Sequence, residues 1–133
     1  MDYGLFERIL SIDSTSGKER QLSEMLAQTL PEWFVGQGAQ VPLLSRSEVG
    51  DGTENLLFSW GEPRVVYCTH MDTVPPFIAP TFSDDRVCGR GSNDAKGQLF
   101  SFACACARLS ATGESGFGLL LVSGEETGSY GAK

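Results

Sequence analysis

Arg64-Val65-Val66-Tyr67-Cys68-Thr69 runs directly into His70-Met71-Asp72, and Phe117-Gly118-Leu119-Leu120-Leu121-Val122-Ser123 runs directly into Gly124-Glu125-Glu126. Both runs are continuously apolar rather than alternating, the pattern of strands covered on both faces in a parallel sheet. Between them, residues 97–110 read as a helix that is apolar on nearly every side and therefore buried. Strand, helix, strand in this order predicts an α/β domain. In an open α/β sheet, ligands bind beyond the carboxyl ends of the strands. His70, Asp72, Glu125 and Glu126 are thus expected at one edge. Asp94 joins them from the glycine-rich loop Gly89-Arg90-Gly91-Ser92-Asn93-Asp94-Ala95-Lys96-Gly97.

Upstream, Leu5, Phe6, Ile9 and Leu10 recur at helical spacing, predicting a short helix over 3–11 with Asp2 as its N-cap. Ser16-Gly17-Lys18-Glu19 has the form of a capping box. It introduces a second helix with Leu22, Met25, Leu26 and Leu30 on one face, ended by Pro31. Residues 36–54 read as loop around a weak strand near Val41–Leu44. Asn55–Trp60 is a strand candidate, Pro75, Pro76 and Pro80 enforce a long loop, Asp84-Asp85 reads as a turn, and a short strand is expected near Arg86–Gly89.

The chain of 133 residues is long enough for one domain with a real core. Its 10 basic and 17 acidic residues give a net charge of −7, which argues against nucleic acid and anionic membranes as partners. No apolar run approaches the roughly 20 residues of a membrane span. The first residues show neither a basic nor a long apolar signal region, so a cytoplasmic location is expected. Cys68, Cys88, Cys104 and Cys106 form no C-x-x-C pair and read as small buried hydrophobes. There are 16 glycines, above the usual ~7% of residues, and one histidine. Phosphate-loop, dinucleotide, nucleophile-elbow and calcium-loop patterns all fail on residue identity or spacing.

The acids and His70 have a chemistry in common. Neutral imidazole is a good zinc ligand. Asp72, two residues on, can accept the other ring N–H and fix the tautomer. Asp94 has two oxygens and can bridge two cations. Glu125 and Glu126 point in different directions, so one can bind metal while the other addresses a bound water. A pair of cations polarises a carbonyl and supplies hydroxide near neutral pH, and a nearby carboxylate is the natural base. Each feature has a plainer reading by itself: a structural histidine, a glycine turn, a solvated Glu-Glu loop. Their coincidence in a chain with one histidine favours a site.

In order and content, His70-Met71-Asp72-Thr73-Val74-Pro75, the 89–97 loop and Gly124-Glu125-Glu126-Thr127-Gly128 resemble the signatures of a zinc metallopeptidase family. That family includes acetylornithine deacetylase, succinyl-diaminopimelate desuccinylase and glutamate carboxypeptidase. The resemblance implies a three-layer catalytic domain with a mainly parallel mixed sheet. It implies two zinc ions, with cobalt as a substitute, held by His70, Asp94 and Glu126, with Asp94 bridging. Asp72 would orient His70, Glu125 would be the general acid/base, and the Asp94–Ala95 peptide would be cis. The substrate would be a small N-acyl amino acid or short peptide. The short spacing from Asp72 to Asp94 is similar to the branch acting on acetylornithine, acetylcitrulline or carrier-bound lysine and ornithine, in arginine and lysine biosynthesis. The alternatives are a dipeptidase or carboxypeptidase of the same family, and a non-catalytic metal-binding or assembly module. Family members carry a downstream acid, a second histidine and a lid or dimerisation domain. Residues 1–133 are therefore expected to be the N-terminal part of a truncated catalytic domain, inactive alone, within a homodimeric enzyme.

Overall fold

A computed structural model describes residues 3–133. Helix α1 (Gly4–Ser11) buries Leu5, Phe6, Ile9 and Leu10, the four residues expected to face inward; Asp2 lies outside the described residues. Helix α2 spans Arg20–Gly36. Pro31 does not end it. Leu30 and Phe34 on either side are both fully buried, so core packing carries the helix across the missing amide hydrogen bond.

The strands are β1 (Leu43–Gly50), β2 (Thr53–Trp60), β3 (Val65–His70), β4 (Thr81–Phe82) and β5 (Val87–Cys88). Helix α3 (Lys96–Ala111) and strand β6 (Phe117–Val122) follow. The main sheet has the order β1-β2-β6-β3. It is mixed: β3 and β6 are parallel, while β1–β2 and β2–β6 are antiparallel. This is the expected α/β class with a mixed sheet, although among the described residues one of the three strand pairings is parallel where a mainly parallel sheet was expected. Strands β4 and β5 pair separately as a small hairpin.

Strand β1 is much longer than the weak strand expected near Val41–Leu44; its residues are mostly polar and exposed, so they leave no apolar pattern in the sequence. The Asp51-Gly52 turn joins it to β2 with both residues at positive φ, the backbone that a two-residue hairpin needs.

One sheet face carries Leu56, Phe58, Trp60, Phe117, Leu119 and Leu121, all in the hydrophobic core with the three helices. Phe34 stands edge-on to the Trp60 ring, centroids 4.8 Å apart, and Trp60 stacks on Phe117 at 4.9 Å. On the opposite face Leu57 and Leu120 are half-buried while Leu43 and Val66 are exposed.

Three expectations fail here. Among the described residues strand β3 is the sheet's edge, and Val65 and Val66 are 58% and 43% exposed there rather than covered. Helix α3 buries one side, including Leu99, Ala103 and Cys106, but leaves Ser101 and Arg108 in solvent. Of the cysteines, Cys106 alone is fully buried; Cys68 and Cys88 are exposed because one lies on the edge strand and the other in the small hairpin.

Candidate metal centre

The parallel pair β3–β6 aligns His70 with Val122. The two chain segments that leave these strands are therefore neighbours. Beyond β6, Gly124 takes a left-handed φ of 72° and opens the short 3-10 turn Glu125–Thr127. Asp94 arrives from the loop before α3, and its peptide to Ala95 is cis, as the resemblance implied.

His70 sits at the centre. Its Nδ1 lies 2.8 Å from the Asp72 carbonyl and 3.3 Å from Asp72 Oδ1. Its Nε2 lies 3.0 Å from Asp94 Oδ1 and 3.6 Å from Glu125 Oε2. Ligand atoms of His70, Glu125 and Glu126 all fall within 4.8 Å of one another. The structure thus brings together His70, Asp72, Asp94, Glu125 and Glu126, every site residue expected from the sequence. His70 is buried at the floor, while Asp94 and Glu125 are exposed at the mouth.

Asp72 is fully buried and highly coordinated. Its carboxylate accepts from Ser16 Oγ at 2.6 Å and from the Glu125 and Glu126 amides at 3.0 Å each. Burial works against its charge, but the hydrogen bonds from His70, Ser16 and the two amides outweigh it and hold the carboxyl down at about 2. The reciprocal effect acts on His70. Its hydrogen bond to Asp72 overcomes burial and raises the imidazole to about 9. Glu126 is raised, first by desolvation and then by the Asp94 charge.

The segment before α2 supports this arrangement, and the sequence reading missed it. Thr15 forms a parallel bridge with Thr73. Ser14 Oγ donates to the Met71 carbonyl at 2.7 Å. The capping box does not form: Ser16 turns to Asp72, and Glu19 accepts from the Gly124 amide at 3.0 Å. Both residues drew attention as a local helix signal, whereas their partners lie far along the chain. Lys96 was also missed. It is buried beside the Asp94 loop, its Nζ donates to the Ile12 carbonyl at 2.6 Å, and burial lowers its pKa to about 8. An amine that deep within an otherwise apolar helix face was the available signal.

The donor set suits a divalent metal. It offers one imidazole nitrogen and three converging carboxylates, the nitrogen and oxygen ligands that zinc accepts. Negative charge is in excess over the single imidazolium, and a cation relieves it. The polar groups beneath are complete: among the described residues, no buried side-chain nitrogen or oxygen lacks a hydrogen-bond partner.

Residues 66–133, the stretch holding every proposed ligand, match the peptidase family M20/M25/M40. The chain belongs to this family of metallopeptidases. It is 32% identical to a probable carboxypeptidase of Aspergillus terreus, over 94% of this chain and 31% of that protein. It is 39% identical to a [LysW]-lysine/[LysW]-ornithine hydrolase of Saccharolobus islandicus, over 57% of this chain and 22% of that protein. Among solved structures, a tripeptidase from Staphylococcus aureus superposes with a TM-score of 0.75. That match covers 96% of this chain and 37% of the tripeptidase, and at 24% identity the likeness is one of fold. The M20 chain spans about a third of the length of the curated relatives it matches most fully. No helix among its described residues is long and apolar enough to cross a membrane.

Proposed function

We propose that these residues form part of a zinc-dependent hydrolase that cleaves the amide bond of N-acyl amino acids. The convergence of His70, Asp94, Glu125 and Glu126 at the ends of β3, β6 and the 89–97 loop carries this reading. His70, Asp94 and Glu126 would hold zinc. Zinc bound there supplies a Lewis acid that polarises the scissile carbonyl and lowers the pKa of water.

The chain's own residues do the rest. Asp72 holds the His70 ring so that Nε2 faces the cluster. Glu125, exposed with its Oε2 3.6 Å from that nitrogen, takes a proton from the attacking water. It then returns the proton to the leaving amine as the carbon–nitrogen bond breaks. The products are a free carboxylic acid and a free amine. Membership of a peptidase family and the likeness to a lysine- and ornithine-releasing hydrolase support an amino-acid substrate. A second reading, peptide cleavage by a carboxypeptidase or dipeptidase, is favoured by the fungal relative. We infer further that the catalytic domain and a dimerisation domain are completed by chain outside residues 1–133.

The test uses the full-length protein against N-acetylornithine, N-acetylcitrulline and a panel of short peptides. Glu125→Ala is expected to keep its metal and lose turnover, whereas Asp94→Ala loses metal. Wild-type turnover by Glu125→Ala refutes the assignment of the base. Exclusive turnover of peptides selects the second reading.

A further inference from the structure

Glu19 has no part in the ligand set, yet it is fully buried. It stands just before α2 and reaches across the chain to the loop after β6. One carboxylate oxygen accepts from the Gly17 amide at 2.8 Å and the other from the Gly124 amide at 3.0 Å. The next two amides, of Glu125 and Glu126, go to Asp72. Two buried carboxylates therefore take up three successive amides at the start of the catalytic turn. An ionised carboxylate is costly to bury; burial pushes the Glu19 carboxyl up, and hydrogen bonding to both oxygens offsets part of that cost. A glutamine in its place has one acceptor for two amide donors and sets its own N–H groups against one of them.

We propose that Glu19 is a positioning residue for Glu125: by fixing the Gly124 amide it sets the orientation of the turn that presents the catalytic carboxylate. This rests on the reading of Glu125 as the base. Asp72 restrains the turn from residue 125 onward through the Glu125 and Glu126 amides. Glu19 restrains the peptide by which the turn leaves β6, and catalytic side chains must be held within ~0.5 Å of their working geometry.

The test is Glu19→Gln in the full-length, zinc-loaded protein. The expected result is a kcat lower by about 10²-fold, the scale of a 1 Å misplacement. KM should stay within about twofold and zinc content at the wild-type level. In a Glu125→Gln background, Glu19→Gln should add less than about twofold to the loss, because it acts through Glu125. A second readout needs neither turnover nor the variant. In metal-free wild-type protein, the Gly124, Glu125 and Glu126 amides should resist hydrogen exchange although they lie outside β6. Glu19→Gln should release Gly124 while leaving the α2 amides protected. A kcat within about twofold of wild type overturns the proposal, as does an equal loss in both backgrounds. Exchange of the wild-type Gly124 amide at the rate of an open loop overturns it even if the variant fails to fold. Failure of the functional reading shows differently: Glu125→Gln then turns over normally, and the role of Glu19 falls with it.

Discussion

Gly131→Ala tests how firmly the turn after β6 is anchored. A Cβ on Gly131 would lie 2.5 Å from the Ser123 carbonyl oxygen, 2.6 Å from Asn55 Oδ1 and 2.9 Å from the Ser123 amide nitrogen. Ordinary contact begins at 3.4 Å, so the 130–132 turn must retreat by about 1 Å from a packed neighbour that cannot deform freely. Two hydrogen bonds are then stretched: Asn55 Nδ2 to the Gly131 carbonyl at 2.6 Å, and the Gly131 amide to the Ser123 carbonyl at 3.0 Å. Each is worth about 1 kcal/mol net, and crowding adds to that, so a loss of about 2–3 kcal/mol is expected. The Tyr130 amide also donates to the Gly124 carbonyl at 3.3 Å, which links the displaced turn to the one carrying Glu125. Urea denaturation of the full-length protein should show the stability loss, and kcat should fall by about 10-fold or more. Gly36→Ala is the control, since a Cβ there meets nothing within 4 Å and an alanine at a helix end is neutral or mildly stabilising. Wild-type stability and kcat for Gly131→Ala would refute the reasoning.

Three further outcomes follow from the same structure. In metal-free protein His70 titrates at about 9 rather than 6.5, so the stability from its contact with Asp72 is fully present below pH 6.5 and lost as pH rises through 9. Zinc must displace that proton, so its apparent affinity should rise with pH between about 7 and 9 with about one proton released from His70 per chain at neutral pH; calorimetry in buffers of different ionisation enthalpy measures this, and zero release contradicts it. Burial raises the Cys106 thiol to about 12, so a thiol reagent should label exposed Cys68 and Cys88 in the native protein and reach Cys106 only after denaturation. Phe34→Ala should cost about 3–5 kcal/mol in thermal or urea unfolding, because Phe34 is fully buried and packs edge-on against both Phe58 and Trp60.

The candidate site was legible because its residues follow strands. Apolar runs ending in His70 and in Gly124-Glu125-Glu126 placed the ligands at one edge without knowledge of any contact. What was not legible depended on partners distant in sequence. Ser16 and Glu19 have the spacing of a helix cap, and the local pattern cannot show that their oxygens are taken by Asp72 and Gly124. The apolar run 64–69 reads as buried, but an edge strand of the same composition is exposed, and strand order is not a property of composition. Pro31 is a helix breaker by propensity, yet the buried Leu30 and Phe34 override it. Strand β1 hid behind polar residues, although the Asp51-Gly52 pair at positive φ was available as a hairpin signal.

The side-by-side pairing of β3 and β6 has a consequence for how the chain can vary. Neighbouring strands lie ~4.8 Å apart whatever connects them, so the span from His70 to Glu125 is a constant of the sheet. The proline-containing stretch between Thr73 and Gly89 contributes nothing to that span, and lengthening a surface loop carries only a small entropic penalty. Insertions and deletions there can accumulate while the placement of His70 beside the Glu125 turn is inherited unchanged.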